Sequence, residues 1–92
     1  MALLHCEVRE GRRPGWKGIG VPTVQGHKEY LGIEDRFLAR KGDTYLLPVI
    51  VVGRDPRYGT FLVHLPVEAD SGANRVWVKA DCLQFKPDEV PA

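Results

Sequence analysis

The densest chemistry in the chain lies between Arg9 and Lys17. Arg9, Arg12, Arg13 and Lys17 supply four cations against the single acid Glu10, and Trp16 stands among them with Gly15 and Gly18 on either side. Cations track phosphates and an indole stacks on a base, so this is the composition of a contact surface for single-stranded nucleic acid. The same residues suit a solvated turn whose Trp16 folds back to cap one end of the fold. Arg9, Arg12, Arg13, Trp16 and Lys17 are therefore the candidate binding residues.

Catalysis has weaker material. His5, His27 and His64 stand in no GxSxG, HExxH or P-loop context, and no cofactor motif is present. Ser71, His64 and Asp70 are the residue types of a small hydrolase's triad. Adjacent Asp and Ser in a glycine-containing loop read more simply as turn formers, so no enzymatic role is expected. Among metal ligands, His5, Cys6, His64 and Cys82 have acceptable chemistry, but no pair has chelating spacing, and no metal is expected. The oxygens of residues 68–74 lack the ordered spacing of a calcium loop and its terminal Glu. Two cysteines without a CxxC suit reduced thiols in a cytoplasmic protein better than a secreted disulfide scaffold.

Charge narrows the partners. Thirteen Lys and Arg against 12 Asp and Glu leave a formal charge of +1, which disfavours both a highly cationic coat protein and an acidic disordered tail. No apolar run approaches the roughly 18 residues of a membrane span, and Met1 to Leu4 meet Glu7 too soon for a signal peptide.

The elements that must position these residues are strands. Ten Gly and seven Pro fall between short apolar runs, the pattern of an all-β sandwich or barrel. Residues 2–9 alternate, with Leu4, Cys6 and Val8 on one face. Residues 10–20 read as a loop or irregular hairpin, 19–24 as a short extended piece broken by Pro22, and 27–33 as a strand. Charges at 34–41 match a helix dipole, so one or two helical turns are expected there, stopped by Gly42. Residues 44–54 carry Val49 to Val52 in succession, which suits a strand covered on both sides, with Pro48 marking an edge or bulge. A tight turn at 55–59 leads to an alternating strand at 60–65. A polar loop at 66–74, a strand at Arg75–Lys79, a helical turn at 80–83 and a closing strand at 84–86 follow. Residues 87–92 form a polar tail, leaving 1–86 as one domain. The expected core is Val49, Val51, Phe61, Val63, Leu65, Val76, Val78 and Leu83.

Residues 30–41 echo 75–86. In both, a strand ends in Ile33 or Val78, three residues turn, and Phe37-Leu38 or Cys82-Leu83 follows. In its C-terminal half the chain resembles the Src-homology-3-like barrel, through a hairpin at 44–65, a third strand, a single 3₁₀ turn and a short last strand. That resemblance implies a mostly β, small, partly open barrel of five or six strands, with first and last strands adjacent and Cys6 near Cys82. Cys82 stands where peptide-binding members carry a tyrosine, and no paired tryptophans precede Thr60-Phe61, so a proline-rich ligand is not expected. The expected function is a non-enzymatic binding or assembly module with a protein partner, a second copy of itself included. The alternative is a nucleic-acid module using residues 9–17.

Overall fold

Period-two alternation sets the architecture. The computed structural model describes residues 1–85, so Lys86 and the expected tail at 87–92 lie outside the described residues. The strands are β1 (Ala2–Leu4), β2 (Glu7–Glu10), β3 (Trp16–Pro22), β4 (Lys28–Glu34), β5 (Ala39–Lys41), β6 (Thr44–Asp55), β7 (Thr60–His64), β8 (Arg75–Lys79) and β9 (Leu83–Phe85), with 3₁₀ turns at Asp35–Phe37 and Ala80–Cys82. They form two antiparallel sheets. One runs β8-β7-β6-β1-β9 with β5 paired to β6, and the other runs β2-β3-β4. The sheets do not close into a barrel. β1 pairs with β9, so the first and last strands are neighbours. Among the described residues no helix is long and apolar enough to cross a membrane.

The echo in the sequence extends to nearly the whole fold. Strands β2-β3-β4, a 3₁₀ turn and β5 repeat as β6-β7-β8, a 3₁₀ turn and β9. A shift of 45 residues carries Asp35–Phe37 onto Ala80–Cys82. The residue before each turn is extended, and the residue after it donates its N–H to the turn's first carbonyl in both copies. The same shift turns the pair Ala2–Val49 into Leu47–Leu4 and leaves Leu3–Pro48 on the axis of an approximate two-fold. The closing strands are exchanged: β5 pairs with β6, the opening strand of the second unit, and β9 with β1, which leads into the first. Even the hairpin tips correspond, as Arg9-Glu10-Gly11-Arg12 and Arg54-Asp55-Pro56-Arg57.

Two expectations are corrected and a third is narrowed. Only residues 11–15 of the loop expected at 10–20 connect strands. Trp16 already opens β3, the middle strand of its sheet, whose Ile19 and Val21 are buried while Gly18 and Gly20 leave the middle of its other face without side chains. Gly11 is required at the connection: its N–H donates to the Trp16 carbonyl at 2.9 Å, and a Cβ there would lie 2.5 Å from that oxygen. Of the one or two helical turns expected at 34–41 one is present, the 3₁₀ turn Asp35–Phe37, and it goes no further because Ala39–Lys41 pairs back onto Thr44–Leu46 around Gly42 at φ +62°. Gly42 serves this hairpin rather than a helix end. Finally, β6 is covered on one side only. Val49 is buried, Ile50 and Val52 are 55% and 44% exposed, and a bulge between Val51 and Gly53 leaves Val51 half-buried.

Val49, Phe61, Val63, Leu65, Val76, Val78 and Leu83 are buried as expected, and Ala2, Leu4, Ile19, Val21, Leu31, Ile33, Leu38 and Leu47 join them in the core. Phe61 meets Phe85 edge-on at 5.3 Å between ring centroids. Cys6 and Cys82 are free thiols on neighbouring segments, His5 N–H donating to the Cys82 carbonyl at 2.8 Å. Burial pushes the Cys6 thiol up to about 11, opposed by a backbone hydrogen bond from Leu47. Cys82 is raised as well, by desolvation and then by Asp81.

Phe61→Ala should cost about 3–5 kcal/mol in urea unfolding, whereas Ile50→Ala, on the open face, should shift stability by about 0.5 kcal/mol or less. Equal losses at the two positions would show that the faces of β6 and β7 are misassigned. In a Cys82→Ser chain, Cys6 holds only about a thousandth of its thiol as thiolate at pH 8, so a thiol reagent should react at least about tenfold more slowly in native protein than in denaturant. Equal rates would place Cys6 in solvent.

Candidate functional site

Arg9, Arg12, Arg13, Trp16 and Lys17 line one cleft of about 590 Å³ on the β2-β3-β4 sheet. Register explains how they gather. Gly18 of β3 lies between Arg9 of β2 and Gly32 of β4, and Gly20 lies between Glu7 and Tyr30. Trp16, Gly18 and Gly20 alternate on one face of β3, and Tyr30 and Gly32 share that face on β4. The floor is therefore glycine. A Cβ on Gly18 would meet nothing closer than the Glu10 carbonyl oxygen at 3.9 Å. Two rings stand over the other glycines: a Cβ on Gly32 would touch Trp16 Cε3 at 3.9 Å, and one on Gly20 would press Tyr30 at 3.2 Å. Tyr30 is half exposed, and its carbonyl accepts the Asp70 N–H at 2.7 Å, which brings the 66–74 loop to the rim.

The cations are not equivalent. Arg9 and Lys28 both bond the Glu7 carboxylate. Lys28 first, then Arg9, holds that carboxyl below its usual range. Lys17 falls one residue out of phase with Trp16, so its side chain leaves for the opposite face. There its Nζ donates to Glu10 Oε1 at 2.7 Å and lies 5.5 Å from the Tyr45 ring centroid, with the side chain 15% exposed. The bond to Glu10 raises its pKa. The Arg13 guanidinium stacks on the Trp16 ring at 4.9 Å. Arg12 is exposed and makes no hydrogen bond or ion pair among the described residues. Arg9, Arg12, Arg13 and Trp16 are thus brought together, while Lys17 contributes backbone to the cleft and its charge to the other side. Sequence inspection missed Tyr30, the glycine floor and the pairing role of Glu7. Their signal was alternation across strands, visible only once the register is known.

Of Ser71, His64 and Asp70, the serine hydroxyl is bonded to another residue. Ser71 Oγ donates to Glu29 Oε1 at 2.7 Å, a bond that lowers the Glu29 carboxyl, while His64 sits on β7 opposite Ile50 and Arg75. Among the described residues no three His, Cys, Asp or Glu side chains are grouped to hold a metal. No family model matches the chain, and neither the curated proteins nor the solved structures hold a match to it.

Proposed function

We propose that the protein is a non-enzymatic binding and assembly module that recognises a partner protein through the cleft on the β2-β3-β4 sheet. The charge balance of that cleft carries the reading. Arg9, Arg12 and Arg13 line it together with Glu7 and Asp70, and Arg9 is already held by the Glu7 carboxylate, while Lys17 is held by Glu10 on the opposite face. A phosphate backbone is bound by releasing counterions from unpaired cations along its track. A protein segment of mixed side chains instead meets a surface of mixed sign, with Arg12 and Arg13 open to a carboxylate and Trp16 and Tyr30 as apolar walls. The strand order from β6 to β9 and the β1–β9 pairing support relating the fold to the Src-homology-3-like architecture, opened here into two sheets. Two free thiols support a reducing, cytoplasmic setting.

One observation favours a second reading: Trp16, Tyr30, Arg12 and Arg13 line a single open cleft, an arrangement that a stacked base with its phosphate also fits.

Trp16 reports on both, once Trp77→Phe leaves it the sole indole. Titrating that chain with an acidic decapeptide holding one central phenylalanine should shift Trp16 emission. Arg12→Ala with Arg13→Ala should weaken the response about tenfold or more, with a shallow salt dependence. A response to oligothymidylate alone, falling steeply with salt, would replace this reading with the nucleic-acid one. Silence with both probes would remove the cleft as a binding surface.

A further inference from the structure

Arg13 is held by a tight turn. The Trp16 N–H donates to the Arg13 carbonyl at 3.1 Å, with Pro14 at the second position and Gly15 at φ +81° in the third, the geometry of a type II turn. The Gly15 carbonyl in turn accepts the Asp35 N–H at 2.8 Å, which ties the turn to the end of β4. The Trp16 ring lies over Gly32, and the Arg13 guanidinium lies over that ring at 4.9 Å. A stacked guanidinium is oriented in advance, with its fork of N–H donors in its own plane and aimed past the ring. Arg13 is exposed and bonds no carboxylate among the described residues. Glu34, which stands opposite Trp16, already accepts from Arg36 Nε at 2.8 Å.

The internal duplication says what fits that fork, because the second hairpin tip carries the same arrangement filled. There the Arg57 guanidinium lies over the Tyr58 ring at 5.5 Å. Its Nε donates to Asp55 Oδ1 at 3.2 Å and its Nη2 to Asp55 Oδ2 at 3.1 Å, a two-pronged grip on one carboxylate. The grip holds the Asp55 carboxyl below its usual range. The shift of 45 residues carries Glu10 onto Asp55, but Glu10 is spent on Lys17 Nζ at 2.7 Å. The first tip thus keeps the stacked guanidinium and has given its own acid away. We propose that Arg13, braced on Trp16, is the receptor for one carboxylate of the partner protein, gripped by both prongs as Arg57 grips Asp55.

This receptor rests on the protein-binding reading of the cleft and names the group that is recognised there. By position in the repeat Arg57 answers to Arg12, and by stacking it answers to Arg13. The stacked residue is the one whose ordering is already in place before a ligand arrives, so Arg13 reads the shape of the carboxylate and Arg12 adds only charge. Glu7 and Asp70 line the same cleft, so a single carboxylate is accommodated where a chain of phosphates would be repelled.

Charge-keeping substitutions separate a fork from a point charge. Calorimetric titration of the full chain with the acidic decapeptide, amidated at its C-terminus, should show Arg13→Lys weakened about tenfold and Arg12→Lys within about twofold of wild type. A counterpart with every acid replaced by its amide should fail to bind when amidated. The same counterpart with a free C-terminus tests a terminal carboxylate as the source, and binding that Arg13→Lys again weakens supports the same receptor. A second measurement needs no variant: the Arg13 Nε–H resonance of wild type should move as the acidic decapeptide is added. The proposal is overturned if Arg13→Lys binds like wild type, if Arg12→Lys loses as much as Arg13→Lys, if the amidated, acid-free counterpart binds equally well, or if the Arg13 resonance stays still. In each of these cases, decapeptide binding that the double alanine variant weakens leaves the cleft reading standing. Absence of any decapeptide binding to wild type removes both.

Discussion

The fold depends on a short antiparallel pairing, β1 against β6. Only three residue pairs make it, yet it carries both sheet order and symmetry. Ala2 and Leu4 point inward from β1, and Leu47 and Val49 point inward opposite them, all at most 1% exposed. Fully burying a side chain such as Leu4 or Leu47 contributes about 1.5–3 kcal/mol. β9 pairs with the other edge of β1, so the same three residues also anchor the end of the described chain. Contacts this distant in sequence cost loop-closure entropy before they contribute anything, and a domain of this size has little stability to spare. The exchanged closing strands offset that cost, since each ties one unit to the other.

Alternation then decides what each sheet offers to solvent. Where β3 places Ile19 and Val21 inward, its outward positions are glycine, and backbone forms the surface. Glycine weakens a strand interior, and aromatic neighbours lying over it restore part of the lost contact. Trp16 over Gly32 and Tyr30 over Gly20 do this here, so the rings that wall the cleft also support its floor. A one-residue phase difference separates Trp16 from Lys17 and sends the lysine to Glu10 and Tyr45. The net charge of a sequence window thus says little about a surface, because a strand deals its residues to two faces.

Legibility in the sequence follows the same physics. Strands β7 and β8 could be read because Phe61, Val63, Val76 and Val78 alternate with outward residues. β3 could not, since Gly18 and Gly20 hide the polar half of the pattern and resemble loop punctuation. The run Val49 to Val52 suggested two-sided burial because its outer face is also apolar, and the bulge at Val51 shifts the phase midway. At 34–41 the charges imitate a helix dipole, but pairing of Ala39–Lys41 with β6 outweighs a turn of three residues. The cations of the cleft were legible as types, whereas Glu7 and Tyr30 come from neighbouring strands and enter only through register.

Duplication gives these features a common origin in geometry. Two units with one backbone plan share a hairpin tip of Arg, acid, a turn residue and Arg, and each tip stacks a guanidinium on an aromatic ring, Arg13 on Trp16 and Arg57 on Tyr58. The acids are used differently. Glu10 reaches across the strand pair to Lys17, while Asp55 folds back on Arg57 within the tip, accepting its backbone N–H at 3.1 Å and its guanidinium as well. The first tip therefore leaves Arg12 exposed beside the cleft, and the second closes on itself. Equal backbones with unequal side chains thus give one tip a guanidinium left to solvent and the other a guanidinium tied to its own acid, so the two halves of the chain differ in surface chemistry although they share a backbone plan.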